Sequence, residues 1–340
     1  MKKKVLLPTA VFWMLVLGSV LASCDNRADL LKAKVDKVAG SLSASFASIR
    51  ESEEDFIKTA SDVYSHLDRY NLSPKHMDVK DGGIFDTFEG NKYYYKTVKE
   101  GASFYVSPMK PMNDTIRRAV GAVQLLEQPF KKSYDKNSDL LTGNFFGVHA
   151  PTSIGMLYPW IDVVSQVPPG IDFHIFEWYT RGIQSTGETI WSKGPFVSLL
   201  YGWVEDIAAP VRVGGKSLGA IVMPVGIDKV NEKYFKNETE NLFLLGHDLT
   251  LVAANSPARR ALKLKVIEDI DYVKQMKENS FASTAYQLSD PNQSALIQAV
   301  AKKISSGEKS FEESEGGATW VFFVGDVKET GFYTVGFLKK

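Results

Sequence analysis

Residues 28–70, ADLLKAKVDKVAGSLSASFASIRESEEDFIKTASDVYSHLDRY, contain no proline and a single glycine, at position 40. Apolar residues recur every seven positions along this stretch, and a second apolar stripe adjoins them. The first stripe comprises Val35, Leu42, Ile49, Phe56, Val63 and Tyr70, and the second comprises Val38, Phe46, Ala60 and Leu67. The pattern predicts one helix that ends before Pro74. At a rise of about 1.5 Å per residue, this helix would be roughly 60 Å long.

The stripe on this helix allows two interpretations. It could form the seam of a dimer, or it could pack against the rest of its own chain. A single apolar stripe is the ordinary means by which a helix joins a core. Packing within the chain is therefore the default expectation.

The segment before the helix has the three-part layout of a secretory signal. The cationic start MKKK precedes the uncharged run VLLPTAVFWMLVLGSVLA, residues 5–22, which leads to Ser23 and Cys24. The run is long enough for a retained signal anchor, but Ala22 and Ser23 favour cleavage, because a signal peptidase needs narrow side chains beside the bond that it cuts. We therefore expect residues 1–23 to be a signal peptide.

The tetrapeptide LASC, residues 21–24, resembles a bacterial lipobox, in which the cysteine is acylated and becomes the new N-terminus. The resemblance implies lipidation, including palmitate, at Cys24. Each buried methylene contributes about 0.8 kcal/mol, so several acyl chains would hold the protein on a membrane without a transmembrane helix. Asp25 resembles the retention signal of inner-membrane lipoproteins, which implies the periplasmic face of the inner membrane rather than the outer membrane. Cys24 is the only cysteine, so disulfides within the chain are excluded.

Composition places the remainder in the ordinary globular range. Removing 23 of 340 residues leaves 317, enough for two modest domains or one large one. Apolar residues make up 44% and charged residues 24% of the chain, as in typical globular proteins. Forty basic residues balance forty acidic ones, and no long run of one sign follows the signal, so nucleic acid is not an expected partner.

Short aromatic and β-branched runs separated by Gly and Pro follow the helix, which predicts antiparallel strands. A helix with an Asn/Asp cap is predicted over residues 113–129, ending near Pro129, and five strand-like segments follow it. A smaller version of the same plan comes next: a hairpin around His247 and Asp248, helices over residues 266–279 and 291–307, and final strands. The second of these helices is predicted to begin with Asp290 as its cap and Pro291 at its first position. The predicted fold class is α+β.

No motif in the sequence points to catalysis or to metal binding. The histidines show no ligand spacing, and neither a nucleophile elbow nor a Gly-rich phosphate loop is present. Residues 147–155, GVHAPTSIG, bring His149 near Ser153 without an orienting acid, which is typical of a hairpin turn. We therefore expect no enzyme activity, no catalytic residues, no metal site and no cofactor. The five histidines are His66, His76, His149, His174 and His247.

The order of elements resembles the double Cache (PDC-like) sensor fold of bacterial extracytoplasmic receptors. The resemblance rests on FEWYTRG (176–182), GPFVSLLYGWVEDIAAPV (194–211), KSLGAIVMPVGI (216–227), LFLLGHDLTLVAAN (242–255) and ATWVFFVGDVKETGFYTVGF (318–337). It implies two Cache/PAS-like modules, each an antiparallel sheet flanked by helices, after a lipidated N-terminus and long helix at residues 24–75. The membrane-distal, ligand-binding module would cover residues 76–236, and the membrane-proximal module residues 237–340.

Familiar members of that family lie between two transmembrane helices, whereas this sequence ends on a strand and carries no kinase, cyclase or methyl-accepting segment. The resemblance therefore implies a lipid-anchored binding or sensing protein without its own cytoplasmic output domain. Such a protein would act in signal transduction with a transmembrane partner, or as a homodimer.

Trp178 and Tyr179 match the ligand-facing aromatic pair of the family. Amino-acid-binding members carry Arg, Tyr and Asp at the positions occupied in this chain by Phe176, Phe196 and Ser198. The charged groups that would pair with a bound amino acid are therefore mostly missing. A further Asp of the family falls at Pro224 of this chain, where only Asp228 lies nearby. The predicted ligand contacts are Trp178, Tyr179, Tyr158, Trp160, Arg181, Trp191, Phe196, Tyr201 and Asp206.

Aromatic residues at strand spacing are also typical of a core, which is the competing interpretation for Tyr158, Trp160 and Trp191. An aromatic, weakly charged pocket favours a small-molecule ligand. The ligand would be a weakly charged organic compound, or an amine attracted to an aromatic face by about 1 to 2 kcal/mol. The alternative function is a ligand-free Cache-fold scaffold that uses the helix stripe for dimerisation at the membrane surface.

Overall fold

The computed structural model describes residues 9–88, 93–107, 110–148, 152–166, 172–173, 176–186, 188–192, 195–198, 200–267 and 286–340. Side chains are described from Asn26 onwards, except at positions 88, 93, 164, 196 and 197. The predicted signal peptide, residues 1–23, and the side chain of Cys24 therefore lie outside the described part. Within the described side chains, no helix is both long and apolar enough to cross a membrane.

The described elements alternate between helices and strands after one long N-terminal helix. The helices are α1 (Thr9–Ser65), α2 (Asp114–Gln124), α3 (Glu127–Asp135), α4 (Val163–Gln166), α5 (Glu177–Gln184), α6 (Ile227–Tyr234), α7 (Ser256–Leu262) and α8 (Ala295–Ser305). The strands are β1 (Phe85–Phe88), β2 (Tyr93–Lys96), β3 (Ser103–Val106), β4 (Asn144–Val148), β5 (Ile154–Tyr158), β6 (Ile190–Trp191), β7 (Phe196–Ser198), β8 (Gly202–Val213), β9 (Lys216–Gly226), β10 (Asn241–Leu245), β11 (Leu251–Ala254), β12 (Ser310–Glu315), β13 (Ala318–Val327) and β14 (Phe332–Lys339).

The chain divides into two compact units. The larger unit comprises Ser43–Glu232 and Ile270–Asn279. The smaller unit comprises Met1–Leu42, Lys233–Asp269 and Ser280–Lys340. Helix α1 thus contributes its first part to the smaller unit and its last part to the larger one.

The larger unit is built on an antiparallel sheet with the strand order β1-β2-β3-β5-β4-β9-β8-β6, and β7 also pairs with β8. Its longest strands, β8 and β9, form a hairpin around Gly214 and Gly215, which both have positive φ. Two consecutive residues with positive φ are what a tight two-residue hairpin turn requires. This hairpin carries Asp206.

Alternate side chains of this sheet face opposite layers of helix. On one face, Phe56 of α1 meets Phe130 of α3 and Phe146 of β4, with ring centroids 5.2 and 5.4 Å apart. Helix α5 covers the other face. There, Gly182 approaches so closely that a Cβ atom on it would lie 3.1 Å from the Cβ of Ala220. We refer to these as the α1 face and the α5 face.

The smaller unit has an antiparallel sheet with the strand order β11-β10-β14-β13-β12. Helix α1 packs on one face of it, where the strands carry Gly325 and Gly336. A Cβ atom on Gly336 would lie 2.4 Å from Cγ2 of Val35, and one on Gly325 would lie 2.9 Å from Cβ of Ala39. The missing side chains therefore allow the helix to lie directly on the sheet.

The opposite face of the smaller sheet carries that unit's hydrophobic core. Phe337 of β14 contacts Phe322 of β13 and Phe243 of β10, at centroid distances of 5.5 and 6.1 Å. Helix α8 closes this core with apolar residues spaced to form one helical face. They are Leu296, Ile297, Val300, Ala301 and Ile304.

The apolar stripes of α1 are buried within the two units. Val35, Val38 and Leu42 are buried in the smaller unit, and Phe46, Ile49, Phe56, Ala60 and Val63 in the larger one. The interpretation that the stripe packs within the chain is therefore confirmed from Val35 to Val63. Tyr70, beyond the end of α1, is exposed.

The predicted fold class, α+β with a long helix followed by two antiparallel sheets and flanking helices, is confirmed. Two helix boundaries were wrong. Pro129 lies in the first turn of α3 instead of ending a helix, because a first-turn residue needs no N–H donor. Helix α8 begins after Ser294, whose Oγ accepts the Ile297 N–H at 3.4 Å, whereas Asp290 accepts the N–H of Asn292 in a turn. The helix predicted over residues 266–279 lies almost entirely outside the described residues.

Candidate functional site

Helix α5 places an aromatic wall against the sheet of the larger unit. The Trp178 ring meets the Phe145 ring edge-on, with centroids 4.7 Å apart, and Tyr179 is buried with its ring 5.9 Å from that of Phe173. Tyr105 and Phe176 adjoin these rings. We call Tyr105, Phe145, Phe173, Phe176, Trp178 and Tyr179 the aromatic cluster.

A pair of glycines makes room for the aromatic cluster. Gly147 of β4 and Gly155 of β5 are directly opposite each other in the sheet. A Cβ atom on Gly147 would lie 2.7 Å from the Phe173 ring, and one on Gly155 would lie 2.9 Å from the Phe145 ring. The rings therefore occupy the space that two side chains would otherwise fill.

The Tyr179 phenol is neutral in this setting. Burial first, and then the nearby charge of Asp172, raises the pKa of Tyr179 above its ordinary value. Tyr179 therefore extends the apolar wall and adds no charge to it.

One turn further along α5, Arg181 forms an ion pair with Asp206 of β8. The Asp206 side chain is 1% exposed and that of Arg181 is 16% exposed. Ser192 fixes the backbone of Asp206, because its Oγ accepts the Asp206 N–H at 3.1 Å and its own N–H donates to the Asp206 carbonyl at 2.8 Å. Within the described residues, Oδ2 of Asp206 and Nε of Arg181 have no hydrogen-bond partner. The pair thus keeps one acceptor and one donor unused.

The Asp206 carboxyl has a raised pKa. Burial raises the pKa of Asp206 to about 6, although the charge and the hydrogen bond of Arg181 act in the opposite direction. Buried groups with shifted pKa values are common at functional sites. The carboxyl can therefore exchange a proton under physiological conditions.

Trp191 lies beside this ion pair but on the other face of the sheet. It pairs with Ile207, the neighbour of Asp206, and consecutive residues of a strand face opposite sides. Its ring packs on Phe46 of α1 with centroids 5.1 Å apart, and its Nε1 is buried without a partner among the described residues. Trp191 thus belongs to the packing between α1 and the sheet edge.

Glu53 is a residue of this region that was not predicted from the sequence. It lies on α1, it is completely buried, and burial raises its pKa well above the ordinary value, with a further contribution from Asp206. The sequence could have identified Glu53, because it lies on the apolar stripe at helical spacing between Ile49 and Phe56. We call Glu53, Arg181, Trp191, Ser192 and Asp206 the edge cluster, because they gather at the β6–β8 edge of the sheet.

The remaining predicted contacts lie away from α5. The Tyr158 ring meets Tyr134 of α3 at 5.3 Å and the Lys131 ammonium at 5.5 Å. The Trp160 ring is 5.6 Å from the ammonium of Lys99. These two aromatic residues therefore contact other side chains of the larger unit.

Tyr201 is placed by a close contact with a glycine. A Cβ atom on Gly143 would lie 2.5 Å from the Tyr201 hydroxyl, and burial raises the pKa of this phenol. The side chain of Phe196 lies outside the described residues. The structure thus places Trp178, Tyr179 and Arg181 on α5, with Asp206 paired to Arg181. Trp191 lies on the other face of the sheet. The predicted contacts with other surroundings are Tyr158, Trp160 and Tyr201.

Two of the described histidines lie beside backbone carbonyl groups. Nδ1 of His66 lies 2.9 Å from the Asp62 carbonyl, and Nδ1 of His76 lies 2.9 Å from the Asp81 carbonyl. His149 and His174 are outside the described residues. Among the side chains that the structure does describe, no three of His, Cys, Asp and Glu gather in a way that could hold a metal ion.

A separate open groove of about 700 Å³ lies between residues 71–81 and the start of α2. It contains the ion pair between Arg117 and Asp78, which is 2.9 Å long, and the Tyr94 hydroxyl donates to Asp78 at 2.6 Å. Burial acts to raise the pKa of Asp78, but the hydrogen bonds from Arg117 and Tyr94 outweigh it and lower that pKa. The groove is mostly polar and open to solvent, unlike a typical small-molecule site.

No known protein-family pattern and no curated protein matches this chain. Solved structures that resemble it include the ligand-binding domain of the Campylobacter jejuni chemoreceptor Tlp3 in complex with L-norvaline. That match has 8% identity and a TM-score of 0.45, and it covers 92% of this chain and 91% of the other. The ligand-binding domain of the Pseudomonas fluorescens chemoreceptor CtaA in complex with L-leucine matches with 14% identity and a TM-score of 0.40, over 63% of this chain and 78% of the other.

A third similar structure is the ligand-binding domain of the Pseudomonas aeruginosa PAO1 chemoreceptor PctB in complex with L-Arg. It has 19% identity and a TM-score of 0.41, over 65% of this chain and 78% of the other. All three structures are ligand-binding domains of bacterial chemoreceptors. Likeness at this level assigns neither a function nor a ligand to this chain.

Proposed function

We propose that this chain is a lipid-anchored, extracytoplasmic small-molecule binding protein of the double Cache type, and that its ligand binds beside α5 of the larger unit. The observation that supports this most strongly is that one helix, α5, carries both an aromatic wall and Arg181, which pairs with the buried Asp206 of β8. Trp178 and Arg181 stand three residues apart, and residues so spaced share a helical face. Small-molecule sites combine an apolar wall with a few fixed polar groups in this way.

The ligand is a weakly charged organic compound or an amine. Arg181 and Asp206 cancel each other's charge, so the polar end of the site has no net charge to match a strongly charged ligand. The unused Oδ2 of Asp206 would accept a hydrogen bond from an N–H or O–H group of the ligand. The face of Trp178 would attract a cationic amine by about 1 to 2 kcal/mol.

The membrane attachment rests on the lipobox-like sequence around Cys24. Acyl chains at this residue would tether the protein to the periplasmic face of the inner membrane. A lipid anchor enters one leaflet only, so a signal would reach the cytoplasm through a transmembrane partner. The alternative, a scaffold that dimerises through the α1 stripe, is less well supported, because the stripe is buried within the two units from Val35 to Val63.

Ligand-induced thermal stabilisation of two matched tryptophan variants tests the binding proposal. Trp178→Ala removes the aromatic wall beside α5, whereas Trp320→Ala removes a partly buried indole from the core of the smaller unit. We expect a screen of amines and weakly charged organic compounds to raise the melting temperature of the wild type and of Trp320→Ala, but not that of Trp178→Ala. Stabilisation of Trp178→Ala equal to that of the wild type would reject the site.

A further inference from the structure

Glu53 sits at the β6–β8 edge of the larger sheet, and the cation that acts on it, Arg181, is already paired with Asp206. The Glu53 side chain is 0% exposed, and neither carboxyl oxygen has a hydrogen-bond partner among the described residues. The Thr189 hydroxyl lies close enough to act on the carboxyl as a hydrogen-bond donor and lowers its pKa, but burial outweighs this effect. A carboxylate in such a place would lose its hydration, and the effects of Thr189 and Arg181 are too small to compensate for that loss.

The charged groups around Glu53 come from every element packed near it. Glu54 follows it on α1, Glu177 and Arg181 face the region from α5, and Glu205 and Asp206 are buried on β8. Arg181 is the cation that acts on Glu53 within the described part of the unit, and its guanidinium is already bonded to Asp206 and lies 3.6 Å from Glu177. The cluster therefore places two buried carboxyl groups, Glu53 and Asp206, near one guanidinium, which is bonded to Asp206.

We propose that Glu53 is a proton-controlled latch, which keeps this part of α1 packed on the sheet edge while its carboxyl is protonated and releases it when the carboxyl ionises. The shift of its titration agrees with this geometry, because burial first, and the charge of Asp206 second, raises the pKa of Glu53 well above its ordinary value of 4.5. The latch needs no ligand, so its test is independent of the proposed binding site beside α5.

The sign of the pH dependence follows from the raised pKa. A carboxyl whose pKa is higher in the folded state stabilises that state fully below its unfolded-state pKa, and this contribution is lost as the pH rises through the folded-state value. Between the released-state pKa and the folded-state pKa, the equilibrium for release of α1 should increase by up to about tenfold per pH unit, and it should level off above the folded-state value. Release requires the helix to move or to admit water around Glu53.

Hydrogen exchange of the full-length chain between pH 5 and pH 9 tests the latch. The variants are Glu53→Gln, which keeps the shape without the charge, and the adjacent Glu54→Gln, whose side chain is 46% exposed and pairs with Arg50 at 3.9 Å. After correction for the intrinsic pH dependence of exchange, we expect peptides covering residues 46–60 to open with rising pH in the wild type and in Glu54→Gln. In Glu53→Gln, that increase should be absent.

Equal pH profiles for the wild type and Glu53→Gln would overturn the proposal. If Glu53→Gln does not fold, the wild type decides the matter, because corrected exchange of residues 46–60 that does not change with pH would also overturn it. Asp206→Asn serves as a further variant, because Asp206 titrates in the same direction. A pH response that disappears with Asp206→Asn but persists in Glu53→Gln would assign the effect to Asp206 and reject the latch.

Discussion

Arg181 is the residue on which the polar part of the candidate site depends. It neutralises a carboxyl that is almost completely buried, and it lies one helical turn from the aromatic wall. Removing one partner of a buried ion pair leaves the other charge without compensation, which is more costly than never having buried the pair.

We expect Arg181→Met to lower the free energy of unfolding by about 3 to 5 kcal/mol at pH 8. The loss should be smaller at pH 5, because Asp206 has a raised pKa of about 6 even with Arg181 present and is then mostly protonated. Urea unfolding at both pH values measures the difference. Adding Asp206→Asn to Arg181→Met should restore most of the stability at pH 8. A loss of the same size at both pH values would show that Arg181 acts through packing alone.

The sequence predicts the neighbours of some single residues and not of others. The helical spacing of Trp178 and Arg181 could be read from the sequence, but the pairing of Arg181 with Asp206 depends on how α5 lies across β8. Tyr158 illustrates a second limit. Which face of a strand meets which helix layer is not encoded in the strand itself, so the sequence predicted Tyr158 as a ligand contact or a core residue without indicating that its ring meets Tyr134 of α3. Glu53 could have been noticed, since a carboxyl on an apolar stripe is unusual.

At the scale of elements, the contact between α1 and the smaller sheet depends on two glycines in neighbouring strands. Gly336 in particular has no room for a side chain, because a Cβ atom there would come within 2.4 Å of Val35, 3.0 Å of Leu242 and 3.1 Å of Leu31. A β-branched neighbour such as Val35 cannot rotate away easily. The helix would therefore have to move off the sheet.

We expect Gly336→Ala to lower the free energy of unfolding by about 1 to 3 kcal/mol, the usual cost of overpacking. Gly40→Ala is the matched substitution on α1 itself, where a new Cβ atom would meet nothing within 4 Å. Because glycine is a poor helix former, Gly40→Ala should stabilise by about 0.5 to 1 kcal/mol. Thermal and denaturant unfolding measure both effects. Stabilisation by Gly336→Ala would contradict the close packing of α1 on the smaller sheet.

Elements with strong periodicity were predicted well, and boundaries set by local polar groups were not. The hairpin around residues 246–250 and the long helix follow from alternation and from the apolar stripe. The start of α8 could not be settled in the same way, because Asp290 and Ser294 are both good caps and only the packing of Leu296 and Ile297 selects the second. Pro129 was ambiguous for the same reason, since proline suits both a stop and a first turn.

At the scale of the whole molecule, the proposed anchor makes a simple mass prediction. In its own host, the wild-type protein should begin at an acylated Cys24 and remain with the membrane after a high-salt wash, because acyl chains bind through the hydrophobic effect rather than through charge. Cys24→Ser should lack the acyl mass and stay unprocessed. Intact-mass analysis of washed membranes checks both. A wild-type chain that still starts at Met1, without added acyl groups, would contradict the anchor.

The central claim is that the larger unit binds a small molecule beside α5, and mass spectrometry under non-denaturing conditions tests it most directly. Wild-type protein purified from its own host and re-exposed to a host metabolite extract should show one bound compound per chain. Trp178→Ala should show none, and Trp320→Ala should retain it. The claim would be contradicted if the wild type carried no compound after saturating exposure, or if Trp178→Ala bound the same compound equally well.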